Sequence, residues 1–227
     1  MRARATARIR LARAVLAWLI LPGVLAAQAS VQSAAQSDEL RSNDLLNRIW
    51  DGVQQAQKKY TSSCGTITET RTSSLMARPL VLHGKFCAEG MTRFALEYSE
   101  PSKVRIRFNQ DYLNVTVGDK TEVLEVGSNV RRTQSYFSRE NSIGNLEKQF
   151  IITVQEDSGD YAMKLVPRTD AFRRRINYLV VKLDKRDFLL RSLEVDGKSG
   201  VNSVFVIDVN SLNPKIPPET FEVYKPK

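Results

Sequence analysis

Residues 84–108 read GKFCAEGMTRFALEYSEPSKVRIRF, three strand-like runs separated by two turn-like breaks. In the middle run, Phe94, Leu96 and Tyr98 alternate with charged or small residues. A period of two is typical of a β-strand that is buried on one side. The stretch therefore predicts a sheet with one apolar face, and the use of that face is the functional question.

The first 29 residues have the three parts of a secretory signal peptide. Five arginines precede an apolar run over residues 15–25, and Ala27-Gln28-Ala29 gives a small-x-small cleavage pattern before Ser30. A retained membrane anchor is the alternative, but a span needs about 20 apolar residues, roughly twice this run. We therefore expect cleavage after residue 29, a flexible leader over residues 30–42 and a single domain over residues 43–227.

The net charge of +9 owes much to this segment. Of the 34 basic residues, the five signal arginines are removed, which leaves 29 against 25 acidic residues, or about +4. The local clusters Arg131-Arg132 and Arg173-Arg174-Arg175 have no interleaved exposed aromatic residues and no nucleic-acid motif around them. We expect no nucleic-acid partner.

The chain has two cysteines, Cys64 and Cys87. A hairpin that turns around Leu75-Met76 places them opposite each other, and exported proteins form disulfides. We predict a Cys64–Cys87 disulfide, with two buried free thiols as the alternative.

One long helix is predicted over about residues 43–59, with apolar residues at helical spacing. These residues are Leu45, Leu46, Ile49, Trp50, Val53 and Ala56. A stripe of this kind is usually core, and here it could cover a sheet.

Strands and turns dominate from Ser63 onward. The predicted strands cover about residues 63–72, 79–88, 91–98, 103–109, 112–117, 121–126, 129–135, 149–156, 160–167, 176–183, 188–195, 201–209 and 220–224. Residues 138–148 are predicted to form a loop with a short helix. The fold class is mainly β with helices (α+β), and a sheet of this size must close, curl or double over.

Catalytic chemistry is missing from the sequence. The single histidine, His83, excludes multi-histidine metal sites and leaves no Ser/His/acid arrangement. Turn chemistry explains the acid pairs Asp157/Asp160 and Asp184/Asp187. We expect a binding protein that is not an enzyme and holds neither a metal nor a cofactor.

The order of features resembles the LolA family of periplasmic lipoprotein carriers. The features are the helix opening Asp44-Leu45-Leu46-Asn47-Arg48-Ile49, the segment Gly84 to Pro101, the strand end Leu165-Val166-Pro167-Arg168, and a closing meander with Asp196-Gly197, Asn213-Pro214 and Phe221. The resemblance implies a single strongly curved antiparallel sheet of about eleven strands, an incomplete barrel with an apolar cavity covered by helices.

The resemblance also implies a site and partners. The cavity and its lid would be formed by Phe94, Leu96, Tyr98 and Phe86 on the sheet and by Leu45, Leu46, Ile49, Trp50 and Val53 on the helix, with Ile49 meeting Phe94 and Leu96. Ordinary core packing is the alternative for each of them. The expected partners of this monomeric periplasmic protein are acylated lipoproteins or free lipid, an inner-membrane release complex and an outer-membrane acceptor. The alternative function is a periplasmic sensor or interaction module that recognises lipoproteins or a membrane protein's periplasmic segment.

One departure from the family pattern stands just before the strand that carries Phe94. The family has Arg-Pro there, with the arginine bonding the lid, whereas this chain has Gly90-Met91. Arg93 is nearby but displaced, so we do not assign it that role. The departure leaves open whether the chain serves the general lipoprotein pathway.

Overall fold

The computed structural model describes residues 42–90, 92–125 and 143–224. The signal peptide, the leader up to residue 41, Met91 and the predicted strand 129–135 lie outside the described residues. A compact unit begins at Leu45, within the first helix, and the contacts described below belong to it.

The elements follow the predicted order of one helix and many strands. Helix α1 spans residues 42–59, α2 Ile143–Gln149 and α3 Asp170–Arg173. The strands are β1 Ser62–Ser73, β2 Leu80–Glu89, β3 Arg93–Glu100, β4 Val104–Phe108, β5 Tyr112–Val117, β6 Lys120–Glu125, β7 Phe150–Glu156, β8 Asp160–Pro167, β9 Ile176–Asp184, β10 Leu190–Gly197 and β11 Val201–Leu212.

All eleven strands form one sheet in the order β6-β5-β4-β3-β2-β1-β11-β10-β9-β8-β7. Every neighbouring pair is antiparallel, and most pairs are consecutive hairpins. The exception is the middle of the sheet, where β1 pairs with β11. Over the described residues the sheet is open, with β6 and β7 at its edges, which confirms the predicted incomplete barrel of eleven strands with helices.

One face of the sheet is mostly apolar, and we call it the inward face. Register places one residue from each of six neighbouring strands in a row across it, namely Met163, Val181, Leu193, Phe205, Glu69 and Leu82. Side chains on a strand alternate between faces, so residues two positions away extend the same surface.

Two hydrophobic clusters lie on the inward face. The first, the helix-packed cluster, has the buried members Leu46, Ile49, Leu146, Phe150, Val154, Tyr161, Met163, Leu165 and Leu183. The second, the sheet cluster, has the buried members Ile67, Leu82, Phe86, Leu96 and Tyr98. Residues of α1 and α2 belong to the first cluster, whereas all members of the second come from strands β1–β4 and β11.

The predicted disulfide is confirmed. Cys64 and Cys87 are direct cross-strand partners in the β1–β2 pair, with their Cα atoms 4.1 Å apart. Cys87 neighbours the inward-facing Phe86, so strand alternation places it on the opposite, outward face. The bond therefore ties the first hairpin together on the side away from the apolar clusters.

The predicted last strand, residues 220–224, is wrong. Residues Pro218–Phe221 form a 3₁₀ helix instead, which begins after Pro217 in an extended conformation. Proline has no N–H to donate to a strand ladder, whereas its fixed φ suits the first turn of a helix. This turn contacts β3 and buries Phe221.

Several strand boundaries agree closely with the sequence pattern. Residues 112–117 and 160–167 coincide with β5 and β8, and α2 lies in the segment predicted as a loop with a short helix. None of the helices in the described part of the chain is long and apolar enough to cross a membrane.

Candidate ligand-binding face

The sheet cluster combines buried side chains with large apolar ones that stay partly exposed. The partly buried members are Phe94, Val104, Ile106, Phe205, Ile207 and Val209. The Phe86 and Phe94 rings stack with centroids 6.4 Å apart and planes 23° apart. Stacked aromatic rings beside half-exposed aliphatic side chains form a surface that could take up an apolar ligand.

The predicted sheet residues of the site are brought together. Cross-strand pairing places Phe86 opposite Leu96 and Gly84 opposite Tyr98. Leu96 and Tyr98 are buried, while Phe94 is half-buried at the other end of the trio. These residues form the centre of the sheet cluster, as strand alternation predicted.

Gly84 allows Tyr98 to cross strand β2. A Cβ atom at residue 84 would lie 3.0 Å from Cδ1 of Tyr98 and 2.7 Å from the carbonyl oxygen of Glu97. Such distances are too short for a side chain. The glycine therefore leaves room for the Tyr98 ring, which extends over β2 towards β1.

Glu69, Arg71 and the Tyr98 hydroxyl form a polar group within the apolar inward face. The Tyr98 hydroxyl donates a 2.5 Å hydrogen bond to Oε2 of Glu69. Arg71 binds the same carboxylate with two nitrogens, Nε to Oε1 and Nη2 to Oε2, the latter at 3.0 Å. The carboxylate is 2% exposed, so these bonds replace the water that it loses on burial.

The environment of this group shifts two pKa values. Burial, and then the bond to Glu69, raises the pKa of the Tyr98 hydroxyl well above its ordinary value of 10.0. The bond to Glu69 also raises the pKa of the Arg71 guanidinium. Tyr98 is therefore a neutral donor at physiological pH, and Arg71 a cation bound to a carboxylate.

This polar group was not predicted from the sequence. A signal was present, because Ile67, Glu69 and Arg71 alternate with three threonines in the stretch ThrIleThrGluThrArg of residues 66–71. The alternation places two charged residues on the same face as an isoleucine. Their partner, Tyr98, could not be inferred, since it depends on the glycine opposite it in a neighbouring strand.

The predicted contact between Ile49 and the Phe94 strand is wrong. Leu46 and Ile49 are buried in the helix-packed cluster, and Leu45, Trp50 and Val53 pack against the same cluster, on strands β7–β9. The apolar stripe of α1 is thus real, but it covers the other half of the inward face.

A close contact between α1 and the loop that joins β9 to β10 fixes the position of the helix. A Cβ at Gly52 would lie 2.3 Å from the Phe188 ring, so only glycine allows this contact. The Phe188 ring in turn stacks on Tyr161, with centroids 5.6 Å apart. These contacts place α1 on the half of the sheet that contains β8.

The departure from the family pattern at residue 90 has a conformational reason. Gly90 has a φ of +55°, a left-handed conformation that disfavours arginine, and its N–H donates to the carbonyl of Thr61. Arg93 pairs with Glu89 at 3.2 Å and lies over the Phe221 ring. Arg93 thus takes part in packing the C-terminal turn rather than in bonding α1.

Acidic residues elsewhere have structural partners. Asp184 accepts bonds from the side chains of Arg186 and Arg191, which hold the pKa of its carboxyl well below the usual range. Asp187 and Asp157 accept backbone N–H bonds in their turns. Within the described ranges, no group of three or more His, Cys, Asp or Glu side chains could hold a metal ion.

Comparisons with known proteins give matches of fold at low sequence identity. No protein-family model matches the chain, and no curated protein matches it. A LolA superfamily protein from Nitrosomonas europaea matches over 78% of this chain and 97% of its own, with 11% identity and a TM-score of 0.42. A conserved protein from Thermus thermophilus matches over 79% and 94%, with 11% identity and a TM-score of 0.47.

The complex of MucA and MucB from Pseudomonas aeruginosa also matches. It covers 81% of this chain and 61% of its own, with 11% identity and a TM-score of 0.43. The solved structures to which this chain is similar thus include a LolA superfamily protein, and the sequence resembles the LolA family.

Proposed function

We propose that the chain is a non-catalytic periplasmic carrier that holds acyl chains of a lipoprotein, or of another lipid, against the sheet cluster and moves them towards the outer membrane. The observation that carries the proposal is the sheet cluster itself, where six large apolar side chains remain partly exposed on one continuous face. The signal-like N-terminus and the resemblance to the LolA family support the compartment and the cargo.

The energetics suit a reversible carrier. Burial of each methylene group contributes about 0.8 kcal/mol, so a fatty acyl chain supplies ample affinity on a surface of this kind. The partly exposed members of the sheet cluster can bury further area when a ligand arrives. Release then depends on a competing apolar environment, such as an acceptor or a membrane.

The most direct test is the lipid content of the protein. The full chain is expressed with its own N-terminus, purified from the periplasm and extracted for mass spectrometry, and the emptied protein is titrated with a fluorescent fatty acid. We expect co-purified acyl species and saturable uptake. A protein that carries no acyl species and takes up no fatty acid would contradict the proposal.

A matched pair of variants locates the binding face. Phe94→Glu places a charge in the sheet cluster and is expected to abolish uptake while secretion continues. Val206→Glu places the same charge on an exposed position of β11, on the outward face, and is expected to bind normally. Equal binding by both variants would remove Phe94 from the ligand surface.

The same preparation distinguishes the carrier function from the sensor alternative. A stoichiometric protein partner recovered from solubilised membranes, together with a protein free of acyl species, would favour a sensor or interaction module. Transient complexes with acylated lipoproteins would favour the carrier.

A further inference from the structure

The hairpin that joins β1 to β2 ends in an exposed apolar tip. Residues 74–81 are all exposed, and Leu75 is 94% exposed. Met76, Leu80 and Val81 are also exposed large apolar residues, and all four belong to this one hairpin. Scattered surface leucines are common, but four apolar side chains grouped at a projecting turn indicate an interaction surface.

The turn holds Leu75 in place. The N–H of Leu75 donates to Oγ of Ser73 at 3.2 Å, and the N–H of Met76 donates to the carbonyl oxygen of Ser73 at 3.0 Å. These bonds fix the backbone of the tip, so that the leucine side chain is presented outward by a defined turn.

Around its tip the hairpin itself carries charge of one sign, although Glu100 and Glu97 of the neighbouring strand β3 lie opposite His83 and Lys85. From residue 70 to residue 88 there is no acidic residue, whereas Arg71, Arg78 and Lys85 lie in this interval. Arg71 is bound to Glu69, but Arg78 forms no ion pair with any described residue.

More cations lie at the same end of the sheet. Ser73 pairs with Val201 at the start of β11, so the turn that contains Lys198 is next to the hairpin. The N–H of Lys198 donates to the carbonyl of Arg175 at 2.9 Å. The exposed Arg174 and Arg175 therefore lie at the same end of the sheet as the hairpin tip. Asp196 is also present, and its carboxylate accepts a bond from Asn177.

The tip is continuous with the sheet cluster. Leu80, Leu82 and Phe86 occupy alternate positions of β2 and therefore share the inward face. Leu82 and Phe86 are buried members of the sheet cluster, and Leu80 is the exposed position beyond them. An apolar strip thus runs from the candidate ligand surface to the hairpin.

We propose that the tip of the β1–β2 hairpin, with Leu75 at its apex, docks on an anionic lipid bilayer by inserting its apolar side chains while the surrounding arginines and lysine contact lipid phosphates. A bilayer fits because it offers an apolar layer beneath a negative surface, which matches an apolar apex flanked by cations. As a route for cargo exchange the docking rests on the proposed carrier function, but binding to lipid does not require a cargo.

The test measures co-sedimentation of the purified chain with vesicles of phosphatidylethanolamine and phosphatidylglycerol. Leu75→Ser is expected to weaken binding roughly tenfold, since a leucine is removed from the inserted surface. Met76→Ser is also expected to weaken vesicle binding. The matched control is Val206→Ser, which alters an exposed apolar residue on the outward face and is expected to bind like the wild type.

The charge contribution is tested separately. Arg78→Gln is expected to weaken binding to these vesicles about fivefold and to leave binding to phosphatidylcholine vesicles unchanged. Its control is Lys215→Gln, because Lys215 lies after β11 at the opposite end of the sheet. Equal losses for Arg78 and Lys215 would show attraction by net charge alone and overturn the assignment to the tip.

Two other results would overturn the inference. One is a wild-type chain that does not bind anionic vesicles; the other is a Leu75→Ser variant that binds them normally. A Leu75→Ser variant that loses a membrane protein partner, without any vesicle binding by the wild type, would assign the tip to a protein instead. Fatty acid uptake measured on the same samples keeps a failure of docking distinct from a failure of the carrier function.

Discussion

The Tyr98 hydroxyl reaches across strand β2 and donates a 2.5 Å hydrogen bond to the buried carboxylate of Glu69. The two residues lie on strands that do not touch each other in the sheet order, β3 and β1. This bond places a charged group within an otherwise apolar face and links the two strands through their side chains.

Tyr98→Phe is expected to lower the free energy of unfolding by about 1.5–3 kcal/mol, the usual contribution of a hydrogen bond to a charged group. The ring keeps its shape, so the loss reports the hydroxyl rather than a cavity. Urea unfolding measures the difference. The control is Tyr224→Phe, at an exposed position, and equal stability of Tyr98→Phe and the wild type would contradict the structural role of the bond.

The same hydroxyl predicts an alkaline dependence of stability. Because folding raises the pKa of Tyr98, the native state holds this proton more tightly than the unfolded state. Its contribution is complete below the ordinary pKa of 10.0 and declines above it, by up to about 1.4 kcal/mol per pH unit. The stability difference between the wild type and Tyr98→Phe is therefore expected to shrink above pH 10. A difference that stays constant there would count against a raised pKa.

Removal of the Cys64–Cys87 disulfide is expected to lower the free energy of unfolding by roughly 3 kcal/mol, because the bridge closes a loop between residues 23 apart. The fold should persist, since β1 is paired on both sides. Urea unfolding of Cys64→Ala/Cys87→Ala, with and without reductant, measures the loss. A reductant that destabilises the double variant as much as the wild type would show that the effect has another origin.

Phe221→Ala is expected to cost about 3 kcal/mol or more, because the side chain is 3% exposed and its loss leaves a cavity. Fatty acid uptake should not change, since Phe221 lies against Arg93 on the outward face of β3, whereas the sheet-cluster residues of that strand face inward. Thermal unfolding and the uptake assay are run together, with Tyr224→Ala as an exposed control. A variant of normal stability with impaired uptake would place Phe221 at the ligand surface.

Trp50 tests whether α1 moves when ligand binds. It packs against the helix-packed cluster and is the only tryptophan after residue 29. We expect its fluorescence to change little on acyl binding, whereas a tryptophan introduced by Phe94→Trp in a Trp50→Phe background should respond strongly. A large change at Trp50 would indicate that the helix is a moving lid after all.

Local pattern predicted most of the strands and the pairing of Cys64 with Cys87, because hairpins between consecutive strands follow from alternation and turn residues. The same logic failed for residues 220–224. Thr220 to Tyr224 has a strand-like composition, but Pro217 and Pro218 start a 3₁₀ turn, and none of the described strands pairs with it.

The location of α1 could not be inferred in the same way. Its apolar stripe shows that one side of the helix is buried but does not distinguish β7–β9 from β1–β4, since both halves of the inward face are apolar. The contact between Gly52 and Phe188 decides between them, and it joins residues far apart in sequence. The Glu69–Tyr98 bond could not be predicted either, because it also joins residues that are distant in sequence.

The pairing of β1 with β11 bears on the order in which the molecule can assemble. Asn213 accepts a bond from the N–H of Thr61 across a separation of 152 residues, and the sheet cluster draws Ile67 from β1 and Phe205 from β11. Contacts of such long range form late, because a large loop must first close. Since β11 follows the other ten described strands in sequence, a chain synthesised from its N-terminus cannot complete this surface until β11 has emerged, so ligand binding begins only after that point.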